Sequence, residues 1–284
     1  MITNEGRLHI KRYMAGFVPS IGQSIAFGIG TAPESAEDTK LQFEVDRSDI
    51  VLTSYDFVND RIVFKAGVAD TFSGTIHEVA LYSAAADAVA GEFASQLITT
   101  FDSATESWAN PTTAVASNFT LGGGRIGIDS LHQAPAAGGS VTDALTELFL
   151  DMSGHSAADK FVFAFDVNNA NVSSINFKFM TDASNFYQFN LGTQTVGYKI
   201  VEAAKSTAVV TGNPDWASIN EVRVSTFSTA GGSASVDFDA IRIDDVDTVN
   251  PDYVMVAREL LSAPFVKEDG KTKEIEFSVG VSVA

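Results

Sequence analysis

The chain has 284 residues, 45% apolar and 19% charged, with 22 Gly and 7 Pro, a globular composition rather than a disordered or collagenous one. It contains no Cys, which excludes disulfides, thiolate metal sites and cysteine nucleophiles. Lys and Arg number 18 against 36 Asp and Glu, and the formal charge of -18 repels phosphate backbones and points away from nucleic acid.

The opening interleaves Arg7, His9, Lys11 and Arg12 with Leu8, Ile10 and Tyr13. This alternation lacks the apolar run of a signal peptide, and no stretch reaches the ~18 apolar residues of a membrane span. The expectation is a soluble, cytoplasmically made chain with no membrane partner. The basic strip either meets an acidic patch on a neighbouring subunit or forms a solvated strand face.

Ser24 to Ile29 carries Ile25, Phe27 and Ile29 in alternation, with Gly28 and Gly30 marking a bulge or a close backbone approach. Leu41 to Val45 and Ile50 to Tyr55 alternate likewise. Asn59-Asp60 turns into Arg61 to Lys65, and Thr75 to Tyr82 completes a mostly β unit. Ser83 to Gly91 reads as an Ala-rich linker or short helix.

Residues 96–247 supply nine further strand candidates: Phe119 to Leu121, Gly124 to Ile128, Leu145 to Leu150, Lys160 to Val167, Ser174 to Met180, Asn185 to Leu191, Tyr198 to Glu202, Ile219 to Thr226 and Ser235 to Ile243. Short strands at even spacing predict a sandwich or jelly roll. Phe161, Phe163 and Phe165 share one parity, as do Ile175, Phe177 and Phe179, which suits the inner faces of two packed sheets.

In the tail, Tyr253 to Leu261 is broken by Pro264, and a turn at Glu268 to Lys271 precedes alternating Ile275, Phe277, Val279, Val281 and Val283. Such a strand pairs with the first unit, making the middle unit an insertion, or with another subunit. The fold class that follows is all-β: a small β-rich anchoring domain, residues 1–90 plus 250–284, with an inserted jelly-roll β-sandwich over 96–247.

The residues offer little catalytic chemistry. The four His lack a zinc spacing, Gly122-Gly123-Gly124 lacks the Lys-Ser/Thr of a phosphate loop, and His155 with Asp151 sits in a turn. No catalytic residue is assigned. Asp237 and Asp239 share a strand face, and Asp102 joins them if the first and last sandwich strands are neighbours. Hard oxygens so placed hold a structural Ca2+, or else form a solvated acidic edge. Trp108 and Trp216, in Pro-containing loops, and Tyr187 are candidates for stacking on a sugar ring; the alternative is that each Trp plugs an end of the sandwich.

Two resemblances cover nearly the whole chain. Met1 to Leu8, the Leu41 to Phe64 and Gly74 to Tyr82 strands and the Val254 to Val283 stretch resemble small structural proteins of tailed-phage particles. Phe101-Asp102-Ser103 with Trp108, Leu148 to Ser153, Ser174 to Phe179 and the Phe238 to Asp245 ending resemble carbohydrate-binding or concanavalin-like jelly rolls. The resemblance implies a non-enzymatic virion component. Its anchoring domain joins other virion proteins in a homo-oligomer, as head decoration, neck, tail or fibre part, and its jelly roll projects outward. It also implies Asp102 and Asp239 near a structural calcium, and as the alternative function a module binding host-surface glycan.

Overall fold

The N-terminal segment is a helix, not the strand its alternation predicts. A computed structural model of the chain describes residues 1–70, 72–84, 96–245 and 253–280, and in it α1 spans Asn4–Met14. Thr3 caps it, its hydroxyl accepting from the Gly6 amide at 2.9 Å, and Glu5 lies in the first turn where the helix dipole favours an acid. At the other end Gly16 takes a φ of 77°, and the Gly16 and Phe17 amides return to the Tyr13 and Arg12 carbonyls at 2.9 Å. This is a Schellman stop, which a left-handed Gly makes possible.

Strands follow: β1 Ser24–Gly28, β2 Glu44–Asp49, β3 Leu52–Asp56, β4 Arg61–Val68 and β5 Gly74–Ala84. The middle of the chain gives β6 Gln96–Thr99, β7 Asn118–Leu121, β8 Asp129–Gln133, β9 Ser140–Leu150, β10 Lys160–Val167 and β11 Val172–Asp182. It continues with β12 Asn185–Asn190, β13 Gly197–Ala204, β14 Val209–Thr211, β15 Ile219–Ser228 and β16 Val236–Asp244, before β17 Tyr253–Lys267 and β18 Lys273–Gly280. Among the described residues the fold is all-β apart from α1 and one 3-10 turn. Among the described residues no helix is long and apolar enough to cross a membrane. The contacts divide the chain into two units, Met1–Phe93 with Asp247–Ala284, and Ala94–Val246. The linker or helix expected over Ser83 to Gly91, and the ends expected near 90 and 250, lie largely outside the described residues, as do Val281 and Val283.

The first unit packs a four-stranded sheet, β17-β5-β1-β2, on a three-stranded one, β18-β4-β3. The tail strands pair antiparallel with strands of this unit, β17 with β5 and β18 with β4. Pro264 does not break β17. It falls where the register shifts between Leu260 and Phe265 on an edge strand, and both an edge and a bulge tolerate a missing amide donor. Ile25, Phe27, Phe64, Ala66, Val68, Ile76, Val79, Leu81 and Phe277 fill the core. α1 rests on β17 because residue 6 is Gly: a Cβ there would lie 2.0 Å from the Val256 carbonyl oxygen.

A buried ion pair ties this unit together. Glu78 is fully buried and accepts from the amides of Gly30 at 3.0 Å, Phe43 at 3.1 Å and Gln42 at 3.3 Å. Arg258 of β17 donates to it through Nε at 3.0 Å and Nη2 at 2.8 Å, and reaches Asp38 at 2.7 Å and the Ala32 carbonyl at 3.0 Å. Burial pushes the Glu78 carboxyl up, against the pull of Arg258 and the amides of Phe43 and Gln42. The close approach predicted at Gly28 and Gly30 has its cause here, since a Cβ at Gly30 would sit 2.4 Å from Glu78 Oε1.

The second unit stacks sheet β13-β10-β16-β8-β7, with β6 beside β16, on sheet β14-β12-β11-β15-β9. Phe161, Phe163 and Phe165 of β10 point inward and meet Phe177 and Phe179 of β11 and Phe238 of β16. Phe163 stacks on Phe177 with centroids 4.3 Å apart, and Phe161 meets Phe179 at 4.6 Å. Each such side chain contributes roughly 1.5–3 kcal/mol by leaving water, and aromatic pairing adds to it. The strand expected over Gly124 to Ile128 is a loop, its amides at Arg125, Ile126 and Ile128 taken by buried aspartates.

Candidate functional site

Asp102 and Asp239 come together, because β6 pairs with β16 and sets Thr99 opposite Ile241. Both aspartates are buried, and both hold the loop between β7 and β8. Asp102 Oδ1 accepts from the Ala104 amide at 2.9 Å and Oδ2 from the Ile128 amide at 3.0 Å. Asp239 Oδ1 accepts from the amides of Arg125 at 3.0 Å and Ile126 at 3.1 Å, while the Tyr198 hydroxyl donates to Oδ2. The Arg125 guanidinium lies over the Tyr198 ring, 3.4 Å from its centroid. Gly127, at φ 71°, passes so close that a Cβ would stand 2.3 Å from Asp102 Oδ2.

These donors do not fit a calcium shell. Ca2+ takes roughly six to eight oxygen ligands. The oxygens of Asp102 and Asp239 face amide and hydroxyl hydrogens instead, and among the described residues no three acidic or His side chains gather around a common point. The pair is a loop clasp. The third acid of the expected edge, Asp237, serves a separate polar cluster, accepting from Thr120 Oγ1 at 2.7 Å and Asn168 Nδ2 at 2.7 Å, with His132 Nδ1 at 2.8 Å.

Burial raises the Asp239 carboxyl from its ordinary 3.8 to about 6. The folded chain therefore binds this proton more tightly than the unfolded one. Its stabilising effect is complete below 3.8 and is lost as pH rises through about 6. Asp239→Asn keeps an acceptor for the two amides and offers a donor to Tyr198, with no charge to bury. Between pH 4 and pH 7.5 the wild type should lose about 1–3 kcal/mol relative to this variant. Urea melts of both proteins check it, and parallel pH profiles would contradict it.

The aromatic candidates are consumed by packing. Trp108 is only 2% exposed, stacks on Phe101 with centroids 4.6 Å apart, and donates its indole N–H to Glu106 at 2.8 Å. It cannot present a ring to a sugar. Trp216 and Tyr187 do meet, but on each other: their rings lie 3.8 Å apart at 7°. Phe161 lies 5.5 Å and Lys205 Nζ 5.2 Å from the Trp216 ring, and the Tyr187 hydroxyl donates to the Pro214 carbonyl at 2.9 Å. The half-buried pair closes over the phenylalanine core.

A cleft of about 410 Å³ in the same unit is lined by Gln96, Asp151, Gly154, His155, Ser156, Asp159 and Asp245. His155 pairs with Asp159 at 3.2 Å, not with Asp151. Asp159 accepts from the Ser156 amide at 2.8 Å, Asp151 accepts from the Ser153 amide at 2.9 Å, and Lys205 donates to the Met152 and His155 carbonyls at 2.7 and 2.6 Å. These groups tie down one turn.

A polar face escapes sequence reasoning. Because Ile175, Phe177, Phe179 and Phe189 point inward, Asn176, Lys178, Phe186, Gln188, Asn190 and Arg223 share the outer face of the β11–β12–β15 sheet, with Lys178 opposite both Gln188 and Arg223. The signal was in the same alternation, read for its inward half alone.

No protein-family model matches the sequence, and no curated protein matches it. Among solved structures the chain is similar to the family 11 carbohydrate-binding module of the cellulosomal cellulase Lic26A-Cel5E of Clostridium thermocellum. The identity is 12%, over 55% of this chain and 97% of that one, with a TM-score of 0.40. It is also similar to a carbohydrate-binding module specific for non-crystalline cellulose, CBM28, at 14% identity over 49% of this chain and 89% of that one, TM-score 0.32. The glycoside hydrolase domain of Endo-D from Streptococcus pneumoniae matches at 12% identity over 46% of this chain, TM-score 0.31. The chain spans 20% of the length of that protein and 23% of that of PfGH50B.

Proposed function

We propose that the chain is a non-catalytic structural component of a tailed-phage type of particle, in which the first unit assembles with other copies and with virion proteins while the sandwich is displayed. The observation that supports this is the set of apolar side chains the first unit leaves in water. Phe57 and Val58 at the β3–β4 turn are 87% and 91% exposed, with Val51, Leu52 and Tyr55 beside them, and Leu8, Tyr13, Met14 and Phe17 are exposed along and after α1. Clusters of this kind mark protein contact surfaces. The non-catalytic part of the reading draws on the buried acids, which are spent on amides, hydroxyls, His155, Arg242 and Arg258. The test is electron microscopy of the concentrated full chain, together with a reducing-end assay on soluble β-glucan and agarose. Rings or filaments with no new reducing ends are expected; dispersed single molecules or sugar release would contradict the proposal.

A second reading, a glycan-binding module, is favoured by the outer face of the β11–β12–β15 sheet. Amide, ammonium and guanidinium groups at cross-strand spacing, flanking Phe186, suit the hydroxyls and ring of a sugar chain. Retarded migration in gels containing soluble β-glucan, abolished by Arg223→Ala, would support it; unchanged migration would count against it.

A further inference from the structure

We propose that the β3–β4 turn of one copy docks on α1 of a second copy, a head-to-tail contact that deepens the assembly reading above and rests on it. α1 buries Gly6 and His9 and packs Ile10 on the first unit's core. Its opposite face stays in water and carries Arg7, Leu8, Lys11, Arg12 and Met14, followed by Phe17, with Met14 79% and Phe17 77% exposed. Among the described residues no acid pairs with Arg7, Lys11 or Arg12. Three unpaired cations within six residues, beside exposed apolar groups, form a basic and greasy face on a chain whose charge is -18.

The complementary knob is on the same unit. The turn presents Phe57 and Val58 between Asp56 and Asp60. It is held in shape: Asp56 accepts from the Val58 amide at 3.0 Å and pairs with Arg61 at 3.2 Å, Tyr55 donates to Asp60, and the Tyr55 and Phe57 rings meet edge-on at 4.7 Å, so that Asp60 is the turn's acid with no cation paired to it among the described residues. A preorganised knob loses little entropy on docking. Charge selects the partner. Copies this acidic repel one another over most of their surfaces, and α1 is where an acidic, apolar knob finds opposite charge and apolar contact together. Knob and face are different surfaces, so the contact is heterologous and repeats into a closed ring or a filament.

The absence of native Cys makes the test specific. Met14→Cys and Val58→Cys placed in one full-length chain should give, on mild oxidation, a non-reducing ladder of dimers, trimers and higher species. An equimolar mix of the two single variants should stop at dimers. Adding Arg12→Glu should cut the ladder at least about tenfold, and adding Asp60→Lys to that variant should restore it, as expected for opposite charges in contact. If the wild type is oligomeric by light scattering but the double variant gives no ladder, this contact is wrong and the assembly reading survives. A wild type that stays monomeric overturns both. Absence of a ladder together with binding to phosphatidylglycerol vesicles that Arg12→Glu abolishes would make α1 a lipid-facing helix and overturn the proposal.

Discussion

Replacing Glu78 with Ala lowers the stability of the first unit by about 3–5 kcal/mol, because it leaves a buried guanidinium with Asp38 as its one remaining acid and several buried amides without their acceptor. The same side chain receives Gly30, Gln42, Phe43 and Arg258, so it joins the β1–β2 segment to strand β17 through a single carboxylate. Glu78→Gln, which keeps an acceptor oxygen but drops the charge, should cost less. Removing both partners, Glu78→Gln with Arg258→Met, should cost less than the sum of the single changes, since the second substitution removes the stranded charge. Urea titration followed by circular dichroism checks the series. A loss below about 1 kcal/mol for Glu78→Ala would mean that the pair is hydrated and that the unit coheres by its apolar core alone.

Trp108→Ala is expected to destabilise the sandwich by about 3–5 kcal/mol, the usual cost of removing a fully buried large aromatic. The indole packs on Phe101 and satisfies Glu106, whose carboxylate also receives the Thr100 amide at 2.8 Å and the Phe101 amide at 3.1 Å. Truncation leaves a cavity and loosens the turn that places Asp102. Migration in β-glucan gels should not change, because no face of the ring is exposed. A variant as stable as the wild type but altered in glycan retention would restore Trp108 to a binding role and contradict the packing described here.

The parts legible in the sequence were those governed by period-two alternation. Phe161, Phe163 and Phe165 declared the inner face of β10, and Ile275, Phe277 and Val279 declared a strand that pairs with β4. Failures arose where a local pattern had two solutions or a distant group decided. Leu8 and Ile10 alternate as a strand would, but the Thr3 cap and the Gly16 stop close a helix around them. Gly124 to Ile128 also alternates, yet its amides are held by Asp102 and Asp239, one before it in the chain and one more than a hundred residues after. Pro264 reads as a break, but an edge position is a tertiary property and tolerates it. For Trp108 the sequence leaves both a sugar platform and an end plug open, and packing on Phe101 decides for burial. Gly28 and Gly30 announce a bulge or a close approach, and the structure has both, a register shift between Phe27 and Gly28 and the Glu78 side chain against both glycines, while Glu78 itself looks like any strand carboxylate.

The most direct test of the account is the solution mass of the full chain by multi-angle light scattering over a range of concentration and salt. A discrete multiple of 30.1 kDa, or a mass that grows with concentration, is predicted, weakening as salt screens the basic face of α1. A mass of 30.1 kDa at every concentration and ionic strength would contradict it.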